Sequence, residues 1–503
     1  MASPQRISTP KGGQKKQKKF LKEKEGIKLA KEKEKSKKTR SINKELVHVA
    51  YIFVGIFLCL VGYLVYFNVV KAKDVINSPY NAGRQELMSN RITRGKILSN
   101  DGEVLARTDT DANGEETRVY PFQNLYSHVV GYSTKSKTGI ELLENFNLLS
   151  SDVFFLEKLK NEFQDEKNSG NNVVTTLDHT LQTVASNALG DNQGAVVVME
   201  PDTGKVLAMV SKPNFDPNEV ATNWDSLQGT SSLLNRATQG VYPPGSTFKI
   251  VTALAYMRQH PDYENYSYQC TGSITVGDMT IECYHGEVHG EVNFAQSFAK
   301  SCNTSFANMG LSLDNGEFSK LATELMFNED LPIPISYSKS NFPLEANASS
   351  GEQMHAAIGQ GKTEVTPMHM AMLTAAIANG GNVMKPYFVE RIENADGDLV
   401  KRYVPSAYKS IMTTAEAEKL MEMMEGVVLE GTASGLAGQS YTAAGKTGSA
   451  EYEEGTKNSH AWFVGYSNVE DPDIVVSVIV EGGGSGGQVA VPIARQIFDA
   501  YYN

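Results

Sequence analysis

Three short clusters carry residues whose types and spacing could do nucleophilic chemistry. In YPPGSTFK, Ser246 follows two prolines and a glycine and precedes a helix-forming run. That places it at a helix N-terminus, where free N–H groups and the helix dipole favour negative charge. Lys249 lies three residues on, so its amine can reach the Ser246 hydroxyl across one turn. A serine needs a base to become a nucleophile. A lysine can be that base once burial or neighbouring positive charge lowers its pKa. The competing reading is an ordinary serine cap beside a solvated lysine.

In AKSCNTSF, Ser301 and Asn303 put a hydroxyl and an amide two residues apart, fit for proton relay and substrate binding. Capping of a helix terminus is the plain alternative. Cys302 between them reads as a small buried thiol, because no Cys–His arrangement supports a cysteine nucleophile. In YTAAGKTGSAEY, Lys446 supplies positive charge for a carboxylate. Gly448 permits close approach, and Thr447 and Ser449 offer donors. The GKTG string echoes a phosphate-binding loop, but the earlier glycine that such a loop requires is missing.

The elements that must hold these clusters follow from pattern. Ala195 to Met199 and Val206 to Val210 are β-branched apolar runs separated by Pro201-Asp202-Thr203-Gly204, which predicts an antiparallel hairpin. Helical patterns cover 247–259, 293–310, 366–379 and 414–428, with Ser301 to Asn303 between two helical stretches. Strands are predicted at Ala461–Tyr466 and Ile474–Val480, with a last helix over Pro492–Tyr501. Strands, then helices, then strands imply an α+β domain whose two ends share one antiparallel sheet. Ahead of it, RITRGKILSNDGEVLA reads as two short strands around Asn100-Asp101-Gly102, within a small turn-rich unit.

Charge divides the chain unevenly. Residues 1–50 hold 16 basic and 5 acidic residues, a net +11, whereas the other 453 hold 31 basic and 53 acidic, a net −22. So acidic a body argues against a nucleic-acid partner. Four cysteines in 503 residues exclude a disulfide-dense scaffold. With no Cys-x-x-Cys pair and nine scattered histidines, no metal site is expected. Cys270 and Cys283 could pair as a disulfide outside the cell or stay free thiols.

No charged residue stands between Glu45 and Lys71, and Val49 to Phe67 is almost unbroken apolar sequence. As a helix it spans roughly 28 Å, about a bilayer core. The basic flank keeps the N-terminus cytoplasmic and sends the body outside. The expected organisation is a basic, unstructured arm over 1–45, an uncleaved anchor helix over 46–70, a small unit over 71–172 and the main domain over 173–503.

In this order the three clusters resemble the active-site signature of penicillin-binding proteins and serine β-lactamases. LNRATQGVYPPGSTFK, the GQG at Gly359–Gly361 followed by VTPMHMA, and HAWFVGY resemble penicillin-binding transpeptidase sequence. RGKILSNDGEVLA resembles the membrane-proximal pedestal of class B penicillin-binding proteins, although Ser99-Asn100 stands where Asp-Arg is usual. A pedestal of about 100 residues is too short for a glycosyltransferase domain and fits the compact class B type. The resemblance implies a D,D-transpeptidase without cofactor that cross-links peptidoglycan stem peptides and is acylated by β-lactams. It implies Ser246 as nucleophile, Lys249 as base, Ser301 as proton relay and Asn303 as a substrate ligand. Lys446, Thr447, Gly448 and Ser449 then form the carboxylate-binding strand. The backbone N–H groups of Ser246 and Ser449 make the oxyanion hole, and a SEDS-family glycosyltransferase is the implied membrane partner. The alternatives are a D,D-carboxypeptidase or β-lactamase, and a non-catalytic penicillin-binding scaffold or sensor.

Overall fold

The computed structural model describes residues 13–71, 86, 88–164, 166–451 and 458–503, in two compact units, Met1–Ile76 and Asn77–Asn503. In the first, helix α1 (Gly13–Tyr66) passes into a π turn at Phe67–Lys71. Within Lys44–Lys71 an 18-residue window has a mean hydropathy of 2.4, and none of that window is buried. An unstructured arm is therefore corrected from Gly13 onward: the segment is helical. Its Lys, Glu, Leu and Ala are strong helix formers, and it is continuous with the apolar helix, so no new nucleus is needed.

In the second unit a six-stranded sheet runs in the order Leu399–Arg402, Val389–Glu393, Asn172–Thr175, Ile97–Leu98, Val104–Thr110, Glu116–Val119. The hairpin around Asn100-Asp101-Gly102 forms as the turn residues predict. Gly102 takes φ +94°, and the Ser99 hydroxyl accepts the Glu103 N–H at 2.8 Å. This sheet straddles the 172/173 junction, since Val389–Arg402 comes from far down the chain.

The larger sheet is wholly antiparallel and carries the chemistry. Its strands are β1 (Gly194–Met199), β2 (Val206–Lys212), β3 (Ala443–Glu451), β4 (Ser459–Ser467) and β5 (Ile474–Val480), in the order β3-β4-β5-β1-β2. The two ends of the domain do share one sheet: Val478 lies opposite Val196. Every residue of β4 and β5 is buried, so both faces are covered. Pro367–Ala378 packs on β1, β4 and β5, while His179–Leu189 and Val491–Tyr502 pack on each other and on the sheet. The edge strand β3 has low β-propensity (AAGKTGSAE) and is held by nine paired positions with β4 and by Thr414–Leu429 packed against it.

Candidate active site

Pro244 precedes a 3₁₀ turn, Gly245–Phe248, that feeds helix α2 (Lys249–Gln259). Ser246 sits in this turn, partly exposed, while Lys249 to Met257 are buried. Three contacts clamp the turn. The Gly245 N–H donates to the Gly359 carbonyl at 2.9 Å. The Trp462 indole N–H on β4 donates to the Pro243 carbonyl at 3.0 Å. A Cβ on Gly448 of β3 would lie 3.0 Å from the Pro244 oxygen and 3.1 Å from the Thr247 methyl. Gly448, expected to permit close substrate approach, also brings β3 against the serine turn.

Between α3 (Phe294–Ala299) and α4 (Asn303–Ser312) the backbone turns sharply at Ser301, φ +56°. The predicted helical pattern over 293–310 is broken there, and the break aims Ser301 and Asn303 at Lys249. The Lys249 amine donates to the Ser301 carbonyl (2.7 Å), the Ser301 hydroxyl (3.2 Å) and the Asn303 side-chain oxygen (2.7 Å). These three acceptors use all three N–H bonds of an ammonium, so none is left for Ser246. The Asn303 amide is fixed from behind by donating to the Glu282 carbonyl at 2.9 Å.

Lys446 on β3 donates to the same Ser301 hydroxyl at 2.9 Å and to the Thr447 carbonyl at 3.1 Å. One oxygen thus accepts from two lysines. Both amines are fully buried, and desolvation disfavours their charged forms. Burial lowers Lys249 to about 8, against the opposing pull of Cys302 and Cys283. Burial and then the Lys249 charge push Lys446 well below its ordinary range.

The Gln360 side chain, its amide turned to donate, bonds the Glu451 carbonyl at 3.2 Å and accepts the Glu451 N–H at 3.1 Å. The backbone groups of Glu451 therefore face off the open edge of β3. Strand alternation gives Ser449 the same outward direction. Its carbonyl lies 3.1 Å from where a Gly245 Cβ would stand, so this edge faces the serine turn. The Ser449 hydroxyl accepts the Gly486 N–H at 3.3 Å, and Thr447 is hydrogen-bonded to Thr432 at 2.5 Å. All eight residues singled out in the sequence are brought to this one cleft. Thr432 and the clamping role of Trp462 escape sequence reasoning; Thr432 lies in a loop with no pattern of its own.

A second cluster lies beside the site. Cys302, between Ser301 and Asn303, is buried with Cys270 and Cys283. Sγ atoms of Cys270 and Cys283 are 3.7 Å apart, as are those of Cys283 and Cys302, and Cys270 Sγ is 3.5 Å from His289 Nδ1. Cys270 and Cys283 are thus free thiols, since a disulfide needs ~2.05 Å. The four side chains are a set that could hold a metal ion, their ligand atoms all within 4.8 Å of one another. The expectation of no such set rested on spacing along the chain; folding gathers it from four separate segments.

The profile of the penicillin binding protein transpeptidase domain matches residues 194–499. The chain belongs to this penicillin-binding protein family. The penicillin binding protein A dimerisation domain matches residues 94–173 of the same penicillin-binding protein. It is 34% identical to the peptidoglycan D,D-transpeptidase PbpA of Mycolicibacterium smegmatis, over 80% of this chain and 87% of that protein. Among solved structures, it is similar to penicillin-binding protein A from M. tuberculosis in a ceftriaxone acyl-enzyme complex. That match has a TM-score of 0.75 and 30% identity, over 83% of this chain and 99% of that one. The D,D-transpeptidase domain from Eggerthella lenta matches at TM-score 0.74 and 31% identity, over 82% and 98%. The α+β penicillin-binding transpeptidase fold is accordingly that of this chain.

Proposed function

We propose that this protein is a membrane-anchored peptidoglycan D,D-transpeptidase acting through an acyl-Ser246 intermediate. The observation that carries the reading is the Ser301 hydroxyl accepting from Lys249 and Lys446 beside the clamped Ser246 turn. In the neutral form the Lys249 amine keeps two N–H donors and gains a lone pair. It holds two of its present acceptors and takes the Ser246 proton as Ser246 Oγ attacks the penultimate D-Ala carbonyl. The oxyanion forms against the N–H groups of Ser246 and Ser449, where fixed donors meet developing charge. Lys249 then passes that proton through the Ser301 hydroxyl, 3.2 Å from its amine, to the leaving D-Ala nitrogen. Asn303 holds the peptide, and Lys446, Thr447 and Ser449 bind the terminal carboxylate across Gly448. An amine from a neighbouring stem then attacks the ester. β-Lactams acylate Ser246 by the same first step, as ceftriaxone acylates the M. tuberculosis relative.

The apolar helix fits a single-pass anchor. Its basic flank puts residues 1–45 in the cytoplasm and the pedestal (71–172) and catalytic domain (173–503) outside, beside a SEDS-family glycosyltransferase. Fluorescent penicillin followed by intact-mass analysis tests the reading. The wild-type chain should carry one stable adduct on Ser246, and Ser246→Ala none. Catalytic release of penicilloic acid within seconds would instead mark a β-lactamase.

A further inference from the structure

We propose that Cys270, Cys283, His289 and Cys302 bind one zinc ion in a closed tetrahedral site that fixes the Ser301–Asn303 loop.

The geometry is that of a coordination sphere before any ion is considered. Zinc–sulfur bonds of ~2.3 Å and zinc–nitrogen bonds of ~2.05 Å give tetrahedral edges of about 3.8 Å (S···S) and about 3.5 Å (S···N). Three of the six edges are 3.7, 3.7 and 3.5 Å, and the others lie within 4.8 Å. Thiolates and imidazole are the soft and borderline donors that select zinc over magnesium or calcium. His289 turns Nδ1 to the thiols, and its Nε2 lies 3.7 Å from a Glu287 carboxylate oxygen, a partner of the kind that orients metal-bound histidines. With four protein ligands no position stays open, so the ion is structural.

The surrounding fold needs such a link. The segment 267–293 is made of two-stranded ladders, Ser267–Cys270 with Gly290–Asn293 and Ser273–Val276 with Met279–Glu282. Ile281 of this segment joins the main core, with Ile274 and Val276 packed against it, but the separate buried cluster beside it consists of the three cysteines, with Tyr268 packed against them. Three thiols supply little apolar burial, whereas a metal ties all four segments together. The link runs into the active site along two routes. Cys302 separates Ser301 from Asn303, and the Glu282 carbonyl next to Cys283 holds the Asn303 amide. Binding releases three thiol protons, and Zn²⁺ with three thiolates carries one net negative charge close to the Lys249 ammonium.

The full chain, purified in detergent with reductant and without chelator, should contain about one zinc per chain by elemental mass spectrometry. Replacement by Co²⁺ should give thiolate-to-cobalt charge-transfer absorption and tetrahedral d–d bands. His289→Gln and Cys283→Ser should lose the metal, while Cys59→Ser keeps it. His289→Gln changes only one ligand, and circular dichroism shows whether it remains folded. Stripping zinc from the wild type should slow penicillin acylation at least tenfold, and Zn²⁺ or Co²⁺, not Mg²⁺, should restore it. Metal content does not depend on which acyl substrate the enzyme uses, so this test stands apart from the transpeptidase assignment. A reduced chain that takes up neither Zn²⁺ nor Co²⁺, or a disulfide between Cys270 and Cys283 in protein taken directly from membranes, would overturn the proposal.

Discussion

Gly359 and Gly245 are packed backbone to backbone: the Gly359 carbonyl accepts the Gly245 N–H at 2.9 Å, and a Cβ on Gly359 would stand 2.2 Å from the Gly245 oxygen. Both glycines are in the left-handed region, with φ +73° and +52°. Gly359→Ala therefore pushes directly on the turn that carries Ser246. Strain of about 1–3 kcal/mol is expected at such a backbone position. A shift approaching 1 Å at the nucleophile costs ~10²-fold in rate. Penicillin acylation of the folded variant should fall by about that factor. An unchanged acylation rate would show that this clamp does not position the serine.

Lys249 must be neutral to accept the Ser246 proton. Burial holds its pKa at about 8. Acylation should therefore rise about tenfold per pH unit below that value and level off above it. Lys249→Met should remove the pH dependence together with about 10²–10⁴ of the rate. A stopped-flow acylation profile reads both, and a profile that falls as pH rises through 8 would count against Lys249 as the base.

Glu141 is the one carboxylate between Arg94 and Arg118. Arg118 Nε is 2.8 Å and Arg94 Nε 2.7 Å from its oxygens, and Glu141 is wholly buried. Burial alone would raise its pKa, but the charges of Arg118 and Arg94 hold it at about 2. Because the folded pKa lies below the unfolded one, its contribution is present above ~4.3, the ordinary value, and is lost as pH falls towards 2. Glu141→Gln should cost about 3–5 kcal/mol at neutral pH, because two buried guanidiniums lose their counter-charge. The variant should also lose much of the wild type's acid-dependent drop in stability over that window, which thermal melts across pH would show.

Trp462→Phe keeps a ring against Tyr242 but leaves the Pro243 carbonyl without its donor. An unmet buried acceptor costs about 1–3 kcal/mol. The melting temperature should fall, and acylation should slow by less than in Gly359→Ala, since the Gly245 N–H bond remains. Equal acylation losses in the two variants would mean that the indole contact matters as much as the glycine pair.

What was legible in the sequence was whatever local chemistry specifies. Apolar β-branched runs gave β1, β2, β4 and β5, and Asn100-Asp101-Gly102 gave its hairpin. Strand β3 was legible only as a motif, because AAGKTGSAE has neither alternation nor β-branched weight; its partner β4 imposes the strand. The metal-ligating set was invisible for a related reason: its members are 13, 6 and 13 residues apart and meet only when two small hairpins and a helix start converge. The low complexity of the arm reads as a solvated tail, whereas its Lys, Glu, Leu and Ala favour a helix, so its sequence leaves both readings open.

The pairing of β5 with β1 has a consequence for how the enzyme is made. Val196 and Val478 belong to opposite ends of the domain, and loop closure over such a span is slow compared with local contacts. While the ribosome is still at work, β1 and β2 can form only a hairpin with one sticky edge. The Ser246 turn lacks the β3 and β4 surfaces that clamp it until residues beyond 467 have emerged. A chain arrested before that point has every residue of its first two motifs and no working site. Such a chain would present an unpaired apolar strand, a substrate for quality-control proteases rather than for penicillin.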